Sequence, residues 1–147
     1  HYAFARWLQK QVHISPDDMR TSPNNDIFKT VCKMTNMTAL FWFVETFEFK
    51  ITDARVAVLD VLARACCSPK VPLSSVQRLF DDFGCTAEDI SVKNNLLLRH
   101  TCSYSRFEVA TYLVTTFQLN NAKQDLLNHL EFTDKPDLQQ WFNTTFP

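Results

Sequence analysis

Residues 106–120 read RFEVATYLVTTFQLN, and degraded copies of this stretch recur along the whole chain. The copies read AFARWLQKQVHIS at 3–15, TALFWFVETFEFK at 38–50, LSSVQRLFDDFGCT at 73–86 and DLQQWFNTTFP at 137–147. Each has an anchor, at Trp7, Trp42, Arg78, Tyr112 and Trp141, with an apolar partner five residues later at Val12, Phe47, Phe83, Phe117 and Phe146. Successive anchors lie 35, 36, 34 and 29 residues apart. Self-similarity at such a period marks supersecondary units that stack on one another. Within the copy at 106–120, Phe107, Ala110, Leu113, Val114 and Phe117 form a stripe of helical period rather than a strand alternation. This element is the B helix of each unit.

A second helix, A, precedes each anchor by about fourteen residues. Its equivalent positions are Phe28, Leu62, Leu98 and Leu127, with Cys32, Cys66, Cys102 and Glu131 one turn later on the same face. The turn SPKVP joins A to B in the second unit, with Pro69 and Pro72 as helix breakers. After each B helix comes a polar loop: HISPDDMR, EFKITDAR, GCTAEDIS and QLNNAKQD. The pairs Asp17/Asp18, Thr52/Asp53 and Glu88/Asp89 recur there and carry helix-start chemistry.

Laid out this way, the unit LLRHTCSYSRFEVATYLVTTFQLNNA resembles an ankyrin repeat of a divergent kind. Leu98 and Cys102 stand where the first helix packs, and Phe107, Val109, Ala110, Leu113 and Val114 where the second does. The A helices open with NDIF, LDVL, NNLL and QDLL in place of T-P-L-H, and the glycine between the helices is missing. The resemblance implies an all-α solenoid of about four and a half helix–turn–helix units in one repeat domain. The half unit is 1–24, followed by units at about 25–58, 59–93, 94–121 and 122–147. A tetratricopeptide-type solenoid is the alternative by period; the long acidic segment after helix B ranks it second.

Composition bounds the function. The net charge of −1 gives no global steering toward nucleic acid or membrane. Gly84 is the single glycine, which argues against a phosphate-cradling loop or a dinucleotide fingerprint. No apolar run is long enough for a membrane span. The chain starts and stops within B helices, so both ends read as cuts in a longer array, with contacts expected through them. Three of the five cysteines occupy one column of helix A, which reads as small buried residues in a reducing, cytoplasmic setting. The aromatic anchors read as packing between units rather than as a binding ladder.

The polar positions of helix A carry the functional expectation. Lys29, Lys33, Arg64, Arg99 and His100 form a cationic stripe on the face that the resemblance makes concave. Asp17, Asp18, Asp53, Glu88 and Asp89 form a second rim in the loops. The expected function is non-enzymatic protein–protein recognition, with an acidic protein partner for the stripe. A nucleic-acid-binding array and a structural spacer within a large assembly are the alternatives. No catalytic group, metal site or cofactor is expected. His100 and Cys102 point to different sides of a helix, and Cys66-Cys67 lacks ligand spacing.

Overall fold

The structure, a computed structural model, describes Ser15, Asp17, Asp18, Thr30, residues 37–53 and residues 55–147. Trp7, Phe28, Lys29, Cys32 and Lys33, and most of the half unit at 1–24, lie outside the described residues. The described chain is all-α, with no strand among the described residues. Its helices are α1 (Met37–Phe47), α2 (Arg55–Cys67), α3 (Leu73–Phe83), α4 (Ala87–Ile90), α5 (Val92–Ser103), α6 (Phe107–Thr116), α7 (Ala122–His129) and α8 (Pro136–Thr145). A short 3-10 turn, Ile51–Asp53, leads into α2.

Helices α1, α3, α6 and α8 fall on the B copies, and each places its anchor at its sixth residue. Helices α2, α5 and α7 fall on the A copies. The B helices also stop in the same way. Glu48, Gly84 and Gln118 follow the column phenylalanines Phe47, Phe83 and Phe117, and all three are left-handed, at φ 50, 65 and 51°. A left-handed residue turns the chain out of the helix and lets the next N–H groups reach back to orphan carbonyls. Leu119 N–H donates to the Val114 carbonyl at 3.1 Å, and Gly84 N–H to that of Asp81 at 3.0 Å. Glycine takes this backbone without a Cβ penalty, and only the α3 copy uses it. The following residue is apolar each time, with Phe49 and Leu119 buried and Cys85 half-buried. Helix α5 closes with the same motif at Ser105 (φ 56°), through Ser105 N–H to Cys102 and Arg106 N–H to Thr101.

Cα packing divides the chain into two compact units. The first is His1–Val61 with Leu79–Gly84. Its buried residues include Leu40, Phe43, Val44, Phe47, Phe49, Ile51 and Val58. Phe43 stacks on Phe49 at 5.3 Å, and half-buried Trp42 meets Phe43 and Phe47 edge-on. Lys50 Nζ donates to the Asp82 carbonyl at 2.8 Å, placing a cation on the last turn of α3, where the helix dipole is negative.

The second unit is Leu62–Arg78 with Cys85–Pro147. Helix α5 packs on α6, α7 packs on α5, and α8 packs on α6. There α7 lies against the preceding A helix, α5, and α8 against the preceding B helix, α6. Asn95 Nδ2 donates to Asp125 Oδ2 at 2.7 Å between the A helices. Between the B helices, Trp141 stacks on Phe107 at 5.8 Å and its Nε1 donates to Thr111 Oγ1 at 2.9 Å. Trp141 thus packs against the B helix that precedes its own. Lys93, Asn94 and Asn95 are left-handed, so regular α-helix in α5 begins at Leu96. Asparagine tolerates this backbone better than most residues because its short amide bonds locally.

Candidate functional site

The cations expected on helix A separate into distinct environments. Arg64 is exposed in the last turn of α2, and His100 is exposed in the last turn of α5. The two occupy equivalent positions of their repeats. Arg99 is half-buried, and its Nη2 donates to the Lys93 carbonyl at 3.2 Å. The Arg99 guanidinium is therefore folded back on the start of its own helix, and its buried Nε has no hydrogen-bond partner. Lys29 and Lys33 lie outside the described residues.

The acidic rim resolves into caps and exposed carboxylates. Asp18 accepts from Ser15 N–H at 2.9 Å and from Ser15 Oγ at 2.7 Å. The serine hydroxyl and then its N–H hold the Asp18 carboxyl below its ordinary value of 3.8. Asp53 accepts from Lys50 N–H at 2.7 Å. Asp89 is buried and accepts from Thr86 N–H at 3.0 Å and from Thr86 Oγ1 at 2.8 Å, completing a reciprocal capping box at α4. The three carboxylates recur at the repeat period and do the same local work, and the other two acids of the rim, Asp17 and Glu88, are exposed. In the last copy of the loop the equivalent residue is Lys123, which instead donates Nζ to the Pro147 carbonyl at 3.2 Å.

The described thiols are all shifted away from activation. Burial pushes the Cys85 and Cys102 thiols up to about 12, and Cys66 is raised further by burial and by its neighbour Cys67. A nucleophilic cysteine needs the opposite shift. Among the described residues no group of three or more His, Cys, Asp or Glu side chains is placed to hold a metal ion. No described helix is long and apolar enough to cross a membrane.

Two features were not anticipated from the sequence. The first is Arg106, buried at the start of α6. Its guanidinium donates to the carbonyls of Ser68 and of Val71 (2.8 Å) in the SPKVP turn, and its Nε donates to Glu108 Oε1 at 2.7 Å. One arginine thus ties the A–B turn of one unit to that of the next. Burial works to raise the Glu108 carboxyl, but the Arg106 hydrogen bond, a backbone hydrogen bond and the Arg106 charge together hold it below its ordinary value. The second feature is a groove of about 680 Å³ between α6 and α8. Phe107, Val114 and Trp141 supply its apolar part. Its polar part comes from Thr111, Thr115, Gln118, Asn120, Gln140, Thr144, Thr145 and Asp137. The sequence signal for the groove is a column change. The position three residues past the last four anchors runs Glu45, Asp81, Thr115, Thr144, from acids to hydroxyls.

No protein-family model, curated protein or solved structure matches the chain.

Proposed function

We propose that this chain is a solenoid of divergent ankyrin-like helix pairs that serves as a non-enzymatic protein-recognition module. One observation carries this reading. Five long side-chain hydrogen bonds, from Lys50, Asn95, Arg106 (two) and Trp141, join residues 30 to 38 apart in sequence. That is about one repeat period each time, which is the bonding pattern of a quasi-one-dimensional stack in which each unit contacts its neighbours. The like-on-like packing of α7 on α5 and α8 on α6 supports the same arrangement.

In such a stack the packing columns stay apolar while the outward positions vary, and the varied surface does the recognising. Arg64 and His100, exposed at equivalent positions, are the described core of the proposed contact surface, to which the first A copy of the sequence adds Lys29 and Lys33. Their charge suits an acidic protein partner. Free thiols at Cys66 and Cys102, buried in one column, suit a reducing cytoplasmic setting. The test is a pull-down from native lysate, with and without nuclease, beside a variant carrying Arg64→Glu, His100→Glu, Lys29→Glu and Lys33→Glu. Partners that resist nuclease and vanish with the variant support the reading. Nuclease-sensitive capture replaces it with nucleic-acid binding, and capture unchanged in the variant moves the contact surface elsewhere.

A further inference from the structure

The groove between α6 and α8 has a chemistry opposite to that of the A-helix stripe. No lysine or arginine lines it, and Asp137, in the first turn of α8, is its one ionised group. Two of its four threonine hydroxyls are committed as donors within their own helices. Thr115 Oγ1 already donates to the Thr111 carbonyl at 2.9 Å, and Thr144 Oγ1 to the Gln140 carbonyl at 2.9 Å. A threonine hydroxyl has a single proton, so both oxygens have only lone pairs left to offer. Thr111 Oγ1 is held in place by the Trp141 indole N–H. The amides of Gln118, Asn120 and Gln140 both donate and accept, as a peptide backbone does. Half-buried Phe107, with Val114 and Trp141, supplies apolar and aromatic surface along the same groove.

We propose that this groove binds an extended, basic segment of a protein partner, seating one arginine side chain against Asp137. The guanidinium has five N–H donors and no acceptor, which complements lone pairs and a carboxylate. Its aliphatic stem and planar head pack on apolar and aromatic surface. The volume of about 680 Å³ lies in the range of sites that enclose a small ligand or a few residues of peptide. An anionic ligand would meet Asp137 with no lysine or arginine in the lining to balance it. The site is separate from the A-helix stripe and stands or falls independently of it.

The test is an NMR titration of the isotope-labelled chain with three probes. They are an acetylated, amidated Gly-Arg-Gly peptide, its Gly-Glu-Gly counterpart, and a neutral disaccharide. The arginine peptide is expected to shift the amides of Thr111, Thr115, Gln140 and Thr144 in a saturable way, while the glutamate peptide leaves them in place. Asp137 is exposed, so Asp137→Asn is expected to keep the fold and to weaken the arginine peptide about tenfold. Thr144→Lys, which places a cation in the groove, is a second variant and is expected to abolish binding. Equal shifts from the glutamate peptide, binding indifferent to Asp137→Asn, saturation by the disaccharide instead, or no shift with any probe would each overturn the proposal.

Discussion

Helices α5 and α7 are the same element of successive repeats, and they meet very different surroundings. Helix α5 buries Leu97 and Thr101 along one line and Leu98 and Cys102 along the next. Helix α7 buries Ala122 and Leu126, while Leu127 is 47% exposed. Leu127 is the column equivalent of Leu62 and Leu98, each 0% exposed. One turn further on, the buried Cys66 and Cys102 give way to exposed Glu131. Helix α5 packs on α4, α6 and α7, and α7 packs on α5. The repeat pattern supplies the leucine in both cases. What packs against the helix decides whether its burial contributes, at about 1.5–3 kcal/mol for a fully buried side chain.

The comparison can be broken first at Trp141. It belongs to the last B helix, yet it faces back onto Phe107 and Thr111 and is 9% exposed. Trp141→Ala is expected to cost about 3–5 kcal/mol in urea unfolding, as for an interior residue. A loss below about 1 kcal/mol would detach α8 from the stack altogether. Trp42, half-buried, is expected to cost less than Trp141 on the same substitution.

The sharpest form of the comparison is the column pair. Leu98→Ala is expected to cost about 2–5 kcal/mol, through lost transfer energy and the cavity left behind. Leu127→Ala is expected to stay within about 0.5–1 kcal/mol, in the range of surface substitutions. Similar costs at the two positions would show that α7 is covered in solution.

Next is the clamp between turns. Arg106→Met retains most of the apolar stem and removes the donors to Ser68, Val71 and Glu108. Hydrogen bonds to charged groups are each worth about 1.5–3 kcal/mol, and the two carbonyls are left short of a partner. An expected loss of about 2–3 kcal/mol, read by urea unfolding, would place the neighbour tie on one side chain. A loss under about 0.5 kcal/mol would make Arg106 a bystander in the turn.

Smaller effects separate capped from uncapped loops. Asp89→Ala is expected to cost about 1 kcal/mol through loss of the capping box, with Glu88→Ala near zero. Equal effects would mean that charge near the start of α4, rather than the cap, carries the stabilisation. The mildest effect is one of pH. The Cys85 and Cys102 thiols ionise at about 12 in the folded chain, against an ordinary value of 9. Between these values the unfolded chain gives up protons that the folded chain keeps. Stability is therefore expected to fall as pH rises above about 9, and to be insensitive to these thiols below it. Cys102→Ala, followed by urea unfolding across that window, is expected to shallow the decline. A profile unchanged by the substitution would show that burial is not what holds this proton.

Much of the helical order follows from sequence alone. Period, anchors and the column of phenylalanines located α1, α3, α6 and α8, because a B helix must present one apolar stripe and the stripe is visible as spacing. The recurring carboxylates announced helix starts, because a cap is a local interaction three residues long, and Asp18, Asp53 and Asp89 act in that way. The left-handed helix ends at Glu48 and Gln118 were not legible, since neither residue is glycine.

What acts across units was decided by tertiary structure. Arg106 opens the most regular repeat in the chain, but nothing in its neighbours says that its partners lie 35 and 38 residues earlier. Arg99 reads as an outward cation by period, and packing turns it back to the Lys93 carbonyl. The groove between α6 and α8 exists only where two B helices lie side by side, so its threonines and Asp137 read in sequence as an ordinary polar face. Period and capping are set within one turn of backbone and can be read along a line. Grooves, clamps and exposed column leucines depend on which helix lies alongside, and that is settled only when the chain packs.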